Sequence, residues 1–215
     1  MTELEYKDLP EKVYSVIKEM ILRGDFEAGQ KLVQEDLAER LGVSRTPILS
    51  ALTKLEKELL VEIIPRRGAF VRKLSLDQLK DIYDIRIRLE PLGAYNAALR
   101  TDPEGVAELK TLLESFHEVA EADDKKAIYE LDYRYHMTIH RLSGNDLLYR
   151  MISSYSLVVL SNITRFMRDP VISYKDHVAV FEAIAAGEAE QAERHMHAHL
   201  LTSRELLEEA EERNE

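Results

Sequence analysis

Leu37-Ala38-Glu39-Arg40-Leu41-Gly42-Val43-Ser44-Arg45-Thr46-Pro47 reads as the end of one helix, a break, and the start of another. Gln34 to Leu41 has the composition of a short helix, and Gly42 ends it. Ser44 is placed to cap a longer helix running to about Leu60, with Pro47 tolerated in its first turn. Upstream, Val13, Ile17, Met20 and Ile21 recur near the 3.6-residue period of an amphipathic helix from about Pro10 to Arg23. Residues 24–29 are a loop. Downstream, Val61, Ile63, Ile64, Phe70 and Val71 favour strands, and Pro65-Arg66-Arg67-Gly68 supplies a turn between them. The result is a two-stranded hairpin with two arginines at its tip. Helix, helix, tight turn, helix, hairpin is the order of a winged helix-turn-helix.

Beyond this block the pattern changes. From Ser75 onward there is no strand signal. Ser75 with Gln78 three residues later forms a capping box that opens a long helix to about Leu99. Further helical stretches run at about 104–121, 125–142, 146–168, 173–186 and 188–211. Asp123-Asp124, Gly144-Asn145, Asp169-Pro170 and Gly187 punctuate them. Such short connections suit antiparallel neighbours in a bundle. The expected fold is mainly α: a winged helix-turn-helix DNA-binding domain with a small β-hairpin wing at 1–74, then an all-α antiparallel bundle at 75–215 for sensing and dimerisation.

Composition narrows the function classes. The 215 residues contain no cysteine, which excludes disulfides, thiolate metal sites and cysteine nucleophiles. No apolar run is long enough to cross a membrane, and the polar, acidic start is unlike a signal peptide, so a soluble cytoplasmic protein is expected. The net charge of −11 argues against nucleic-acid binding only if charge is evenly spread. It is not: residues 44–73 hold seven Lys/Arg against three Asp/Glu, while the rest of the chain is acidic. A locally basic segment is what a DNA-reading surface needs.

In a helix-turn-helix the N-terminal residues of the second helix enter the major groove. Here they are Ser44, Arg45, Thr46, Leu49 and Ser50. Arg45 can donate two hydrogen bonds to guanine, Ser44 or Thr46 can reach phosphate, and Leu49 can meet a thymine methyl. Arg66, Arg67 and Gly68 on the wing face phosphate or the minor groove. The segment Leu37-Ala38-x-x-Leu41-Gly42-Val43-Ser44-Arg45-Thr46-Pro47, then Leu52-x-x-Leu55, then Pro65-x-x-Gly68-x-Phe70-Val71, resembles the GntR superfamily of bacterial regulators. The resemblance covers residues 10–74 and implies a homodimer on a palindromic operator of double-stranded DNA. Two departures stand out. The resemblance implies an arginine where Leu49 stands and a glycine where Leu59 stands.

In the C-terminal part, Asp132 and His136 lie four residues apart and share a helical face, while His177 and the group His195, His197, His199 lie further along. One carboxylate with three imidazoles suits Zn, Ni, Mn or Fe as a divalent ion. Spacing alone leaves the set open, since His136 with His140 and His195 with His199 are equally spaced pairs, and His117 has no obvious partner. Arg86-x-x-Leu89-Glu90, Asp132-x-x-Tyr135-His136, Gly144-Asn145, Asp176-His177, Ala183-Ile184-x-x-Gly187 and Met196-x-x-His199-Leu200 are similar to the FCD sensor domain of one GntR subfamily. The resemblance covers residues 75–211. It implies a metal held by Asp132, His136, His177 and His199, leaving His140, His195 and His197 as structural residues.

An ion with open coordination positions can seat a small organic acid effector, and a nearby arginine can pair with its carboxylate. Arg86 and Arg165 are the candidates, and Arg86 also stands one turn from Glu90, where an ion pair would occupy it. Tyr83, Tyr133 and Tyr155 are candidates to line the pocket. The reading is a ligand-responsive transcription regulator, a repressor by expectation, with no catalytic residues. Two alternatives stay open: a metal-dependent hydrolase or lyase built on the Asp/His set, and a DNA-binding dimer with neither metal nor effector. Against an enzyme, there is no HExxH helix, no nucleophile elbow and no motif glutamate placed as general base.

Overall fold

The computed structural model describes residues 9–122, 124–153 and 169–212. The chain falls into two compact units, Met1–Lys73 and Leu74–Glu215.

The first unit contains α1 (Leu9–Leu22), β1 (Lys31–Leu32), α2 (Gln34–Leu41), α3 (Arg45–Lys57), β2 (Val61–Ile64) and β3 (Gly68–Val71). Its apolar stripes meet in one core, where Ile17, Ile48, Leu52, Leu55, Leu60 and Val61 are fully buried. Each such side chain contributes about 1.5–3 kcal/mol of burial. Gly42 ends α2 in the left-handed region at φ 64°, where a residue without Cβ fits best. Ser44 occupies the N-cap position of α3, yet its side chain makes no capping hydrogen bond. Pro47 at the N3 position has no N–H to offer it, which leaves only the Thr46 N–H at N2.

The wing is a three-stranded antiparallel sheet in the order β1-β3-β2, not the two-stranded hairpin expected. Val61 pairs with Val71 and Ile64 with Gly68, while Lys31 pairs with Phe70 and Leu32 with Ala69. The extra strand has only two residues, too short to show alternation in sequence, and is recruited because β3 would otherwise present an open edge. Leu32 anchors it by full burial.

The second unit is helical: α4 (Leu76–Arg100), α5 (Pro103–Glu121), α6 (Lys125–Leu142), helical residues 146–153, α7 (Pro170–Ala185) and α8 (Ala189–Glu212). The capping box is present, with Ser75 Oγ accepting from the Gln78 N–H at 3.2 Å and Gln78 Oε1 accepting from the Ser75 N–H at 3.0 Å. The helix expected to start near 173 begins at Pro170. Asp169 Oδ1 accepts from the Val171 N–H at 2.8 Å, and Pro170 supplies a first helical residue that needs no partner. The second part of the helix expected at 146–168 lies outside the described residues. α8 packs along α4, α7 against α5 and α8, and α6 against α4 and α5. Leu79, Ala94, Leu109, Tyr135, Ile139, Val180, Met196 and Leu200 fill the space between them. None of the described helices is long and apolar enough to cross a membrane.

Candidate functional site

Three helices of the bundle each bring chemistry to one point. α6 carries Asp132 and His136 one turn apart, α7 carries His177 and α8 carries His199. Each imidazole lies on its helix's buried stripe: His136 beside Tyr135 and Ile139, His177 between Ser173 and Val180, His199 beside Met196 and Leu200. Packing of these stripes therefore draws the rings together. One ligand atom from each of Asp132, His136, His177 and His199 lies within 4.8 Å of all the others. The ring centroids stand 5.4 Å apart for His136–His177, 5.3 Å for His136–His199 and 4.6 Å for His177–His199. His177 Nε2 is 3.3 Å from Asp132 Oδ1. The imidazoles are buried, whereas the Asp132 side chain is 36% exposed.

Each ring is also held from behind. Tyr135 Oη donates to the His177 backbone carbonyl at 2.7 Å and its ring lies 4.6 Å from the His177 ring. His199 Nδ1 lies 3.5 Å from Asp176 Oδ2; burial pushes the His199 imidazole below its ordinary range while Asp176 pulls it back in part. His136 Nδ1 is 2.7 Å from Glu90 Oε2, and His136 Nε2 is buried with no hydrogen-bond partner among the described residues. A buried ring nitrogen without a partner, grouped with a carboxylate and two further imidazoles, belongs to the kind of donor set a divalent first-row cation takes.

Glu90 is completely buried on α4. Burial alone would raise its carboxyl, but the Arg86 guanidinium, His136 and His140 outweigh this and hold it well below the usual carboxylate range. Arg86 Nε donates to Glu90 Oε1, and His140 Nε2 stands 3.1 Å from Glu90 Oε2. The sequence reading gave Glu90 as part of the FCD resemblance and as the ion-pair partner of Arg86, with no link to His136. The signal was present, since Leu79, Tyr83, Arg86, Glu90, Ala94 and Ala97 form one buried stripe with two charges in it.

The remaining candidates are distributed as follows. Arg86 is nearly buried, paired with Glu90 and lying over the Tyr83 ring with Cζ 4.9 Å from its centroid. Arg165 and Tyr155 lie outside the described residues. Tyr133 packs with Met137, Leu148 and Ile152. His117 stacks on Tyr174 at 4.9 Å. His195 is exposed and His197 half-buried, away from the four-residue cluster, but His140 belongs to the Glu90 network.

In the first unit, Ser44, Arg45, Thr46, Leu49 and Ser50 are all exposed along the outer side of α3, opposite the buried Pro47, Ile48, Ala51 and Leu52. Arg45 Nη1 lies 3.1 Å from Glu35 Oε1. At the wing, Arg66 and Arg67 are exposed and Gly68 half-buried at φ 107°. A Cβ on Gly68 would meet Lys31 Cε at 3.2 Å, so β1 adds to the wing a lysine that the sequence reading passed over.

Comparison with known proteins gives two adjoining family matches. Residues 9–71 match the family described as bacterial regulatory proteins, gntR family, and residues 81–202 match the FCD domain. The chain is 28% identical over 191 residues to the HTH-type transcriptional regulator YdhC of Bacillus subtilis (strain 168), covering 86% of this chain and 85% of that protein. It is 25% identical over 195 residues to the HTH-type transcriptional repressor RspR of Escherichia coli (strain K12), covering 88% and 85%. The solved structure of E. coli McbR/YncC shares the fold at a TM-score of 0.81 and 23% identity, over 94% of this chain and 98% of that one.

Proposed function

Because the chain belongs to the gntR family of bacterial regulatory proteins and carries an FCD domain, we propose that it is a metal-dependent, effector-responsive regulator acting as a dimer on a palindromic operator. It is a DNA-binding transcription regulator, not an enzyme. The observation that carries the finer reading is the convergence of Asp132, His136, His177 and His199 within 4.8 Å, three of them buried. In this reading the four residues hold a Zn, Ni, Mn or Fe ion, and the partly exposed Asp132 marks the side from which a ligand arrives. Such an ion, when bound, supplies a Lewis-acid seat for a carboxylate oxygen. Arg86 and Arg165 are the proposed cationic partners of that small organic acid. Arg86 serves with its terminal nitrogens, because Nε is committed to Glu90.

In the DNA-binding unit, Arg45 and Leu49 meet base edges, Ser44 and Thr46 meet phosphate, and Arg66, Arg67 and Gly68 follow the backbone beside the groove. The protein is proposed to work in the cytoplasm. The resemblance to RspR favours repression, with the acid shifting DNA affinity through different contacts in two states of the helical unit.

The test has two arms. Protein purified without chelator is assayed for bound metal, and its affinity for its own upstream DNA is measured by fluorescence anisotropy with metal and a panel of small organic acids. The expected result is a bound divalent ion, lost in His177→Gln, and at least one acid that changes DNA affinity about 5–150-fold. Protein that retains no divalent metal and ignores every acid refutes the sensor reading. Protein that ignores its upstream duplex throughout refutes the operator reading.

A further inference from the structure

We propose that Glu90 is the positioning residue of the metal site: it holds His136 in the Nδ1–H form, aims Nε2 at Asp132, His177 and His199, and ties that ligand to Arg86. The inference rests on reading the four-residue cluster as the metal site. Its geometry is independent of that reading.

The argument is one of hydrogen counting. Glu90 is fully buried, and a buried carboxylate survives only if its oxygens are satisfied. Oε1 accepts from Arg86 Nε, while Oε2 faces His136 Nδ1 at 2.7 Å and His140 Nε2 at 3.1 Å. An ionised carboxylate beside a guanidinium can only accept, so both imidazole nitrogens that face it must carry hydrogen. A neutral imidazole has one such hydrogen. His136 Nε2 is then a bare lone pair, and it is the nitrogen left buried without a partner. The carboxylate thereby selects the one tautomer able to bind a cation from the other side of the ring.

A competing arrangement exists. Glu90, His136 and His140 also bring ligand atoms within 4.8 Å of one another. An ion seated there would have to expel the hydrogens from both imidazole faces and sit beside the Arg86 charge. The ion and the Arg86 guanidinium would then be two like charges crowded on one buried carboxylate, which is unfavourable. Glu90 and His140 therefore belong behind the site, and Asp132, His177 and His199 in front of it.

The test uses the full chain and cobalt(II) as the probe. Long-range proton–nitrogen spectra of chelator-treated, 15N-histidine-labelled protein read the tautomers directly, with His136→Gln assigning the signal. The expected form at His136 is protonated Nδ1 and bare Nε2; a protonated Nε2 overturns the proposal without any need for Glu90 variants. In chelator competition, Glu90→Gln is expected to lower cobalt affinity about 10–100-fold, and His140→Gln, which leaves Glu90 facing His136, to lower it less. Equal affinity in Glu90→Gln and wild type overturns the role of Glu90. Equal losses in Glu90→Gln and His140→Gln overturn it in favour of an ion bound between those two residues. Wild-type protein that takes up no cobalt refutes the metal reading itself, and the spectra then still decide whether Glu90 sets the tautomer. If Glu90→Gln fails to fold, the wild-type spectra carry the decision.

Discussion

Arg45 enters the DNA problem already engaged, with Glu35 at 3.1 Å and both side chains more than half exposed. An exposed pair of this kind contributes about 0–1 kcal/mol, less than the roughly 1–3 kcal/mol of a bidentate guanine contact, so if Arg45 reads guanine as proposed, DNA is expected to displace Glu35. Arg45→Ala is therefore expected to weaken operator binding by about 1–3 kcal/mol at physiological salt in an anisotropy titration. Leu49, half exposed on the same side of α3, makes a different demand. If Leu49 meets a thymine methyl as proposed, replacing that thymine by deoxyuridine removes one methyl and is expected to cost about 0.8 kcal/mol, a penalty that vanishes in Leu49→Ala. A uracil scan of the operator that shows no sensitive position contradicts this. Leu59 sits at φ 61°, a conformation that strains a side chain with Cβ, and its side chain is only partly buried in return. Leu59→Gly should raise the stability of the first unit by about 1 kcal/mol, read from the urea midpoint, and an unchanged or lower midpoint rejects the strain.

At the scale of elements, the approach of α4 to α6 depends on a missing side chain. A Cβ on Gly93 would overlap His140 Nδ1 and touch Leu148. His140 is fully enclosed and cannot swing aside, so Gly93→Ala must drive its ring off Glu90. The expected loss is about 1–3 kcal/mol in denaturant unfolding of the helical unit, typical of overpacking. An unaffected midpoint means the two helices separate without cost. The helices themselves were legible from the chain. Val13, Ile17 and Ile21 mark α1, Gly42 ends α2, and Ser75 with Gln78 opens α4. What escaped was anything set by a partner distant in sequence. Lys31-Leu32 becomes a strand only because β3 offers it an edge. The four clustered residues could be picked out because resemblance singled them from equally spaced alternatives. Glu90 could not be linked to His136, since the contact spans 46 residues and no period within one helix encodes it.

Across the whole molecule, a metal site and an acid site that share one cluster must report on each other. If an acid tightens metal binding by some factor, the metal tightens acid binding by the same factor. Metal at a hundredfold excess over its dissociation constant should stabilise the helical unit by about 2.7 kcal/mol, and chelator should remove that increment from its unfolding transition. Calorimetry with metal, acid, both and neither checks the closure of this cycle; a chelator that leaves the transition where it was excludes a structural contribution from the ion. The enclosure of the three imidazoles has a kinetic corollary. If the four residues hold an ion as proposed, then with His136, His177 and His199 buried and Asp132 the partly exposed member of the four, the ion is expected to leave slowly and by way of that carboxylate. Occupancy would then record the history of a preparation: protein grown on one metal and diluted into another keeps the first for longer than equilibrium affinities suggest.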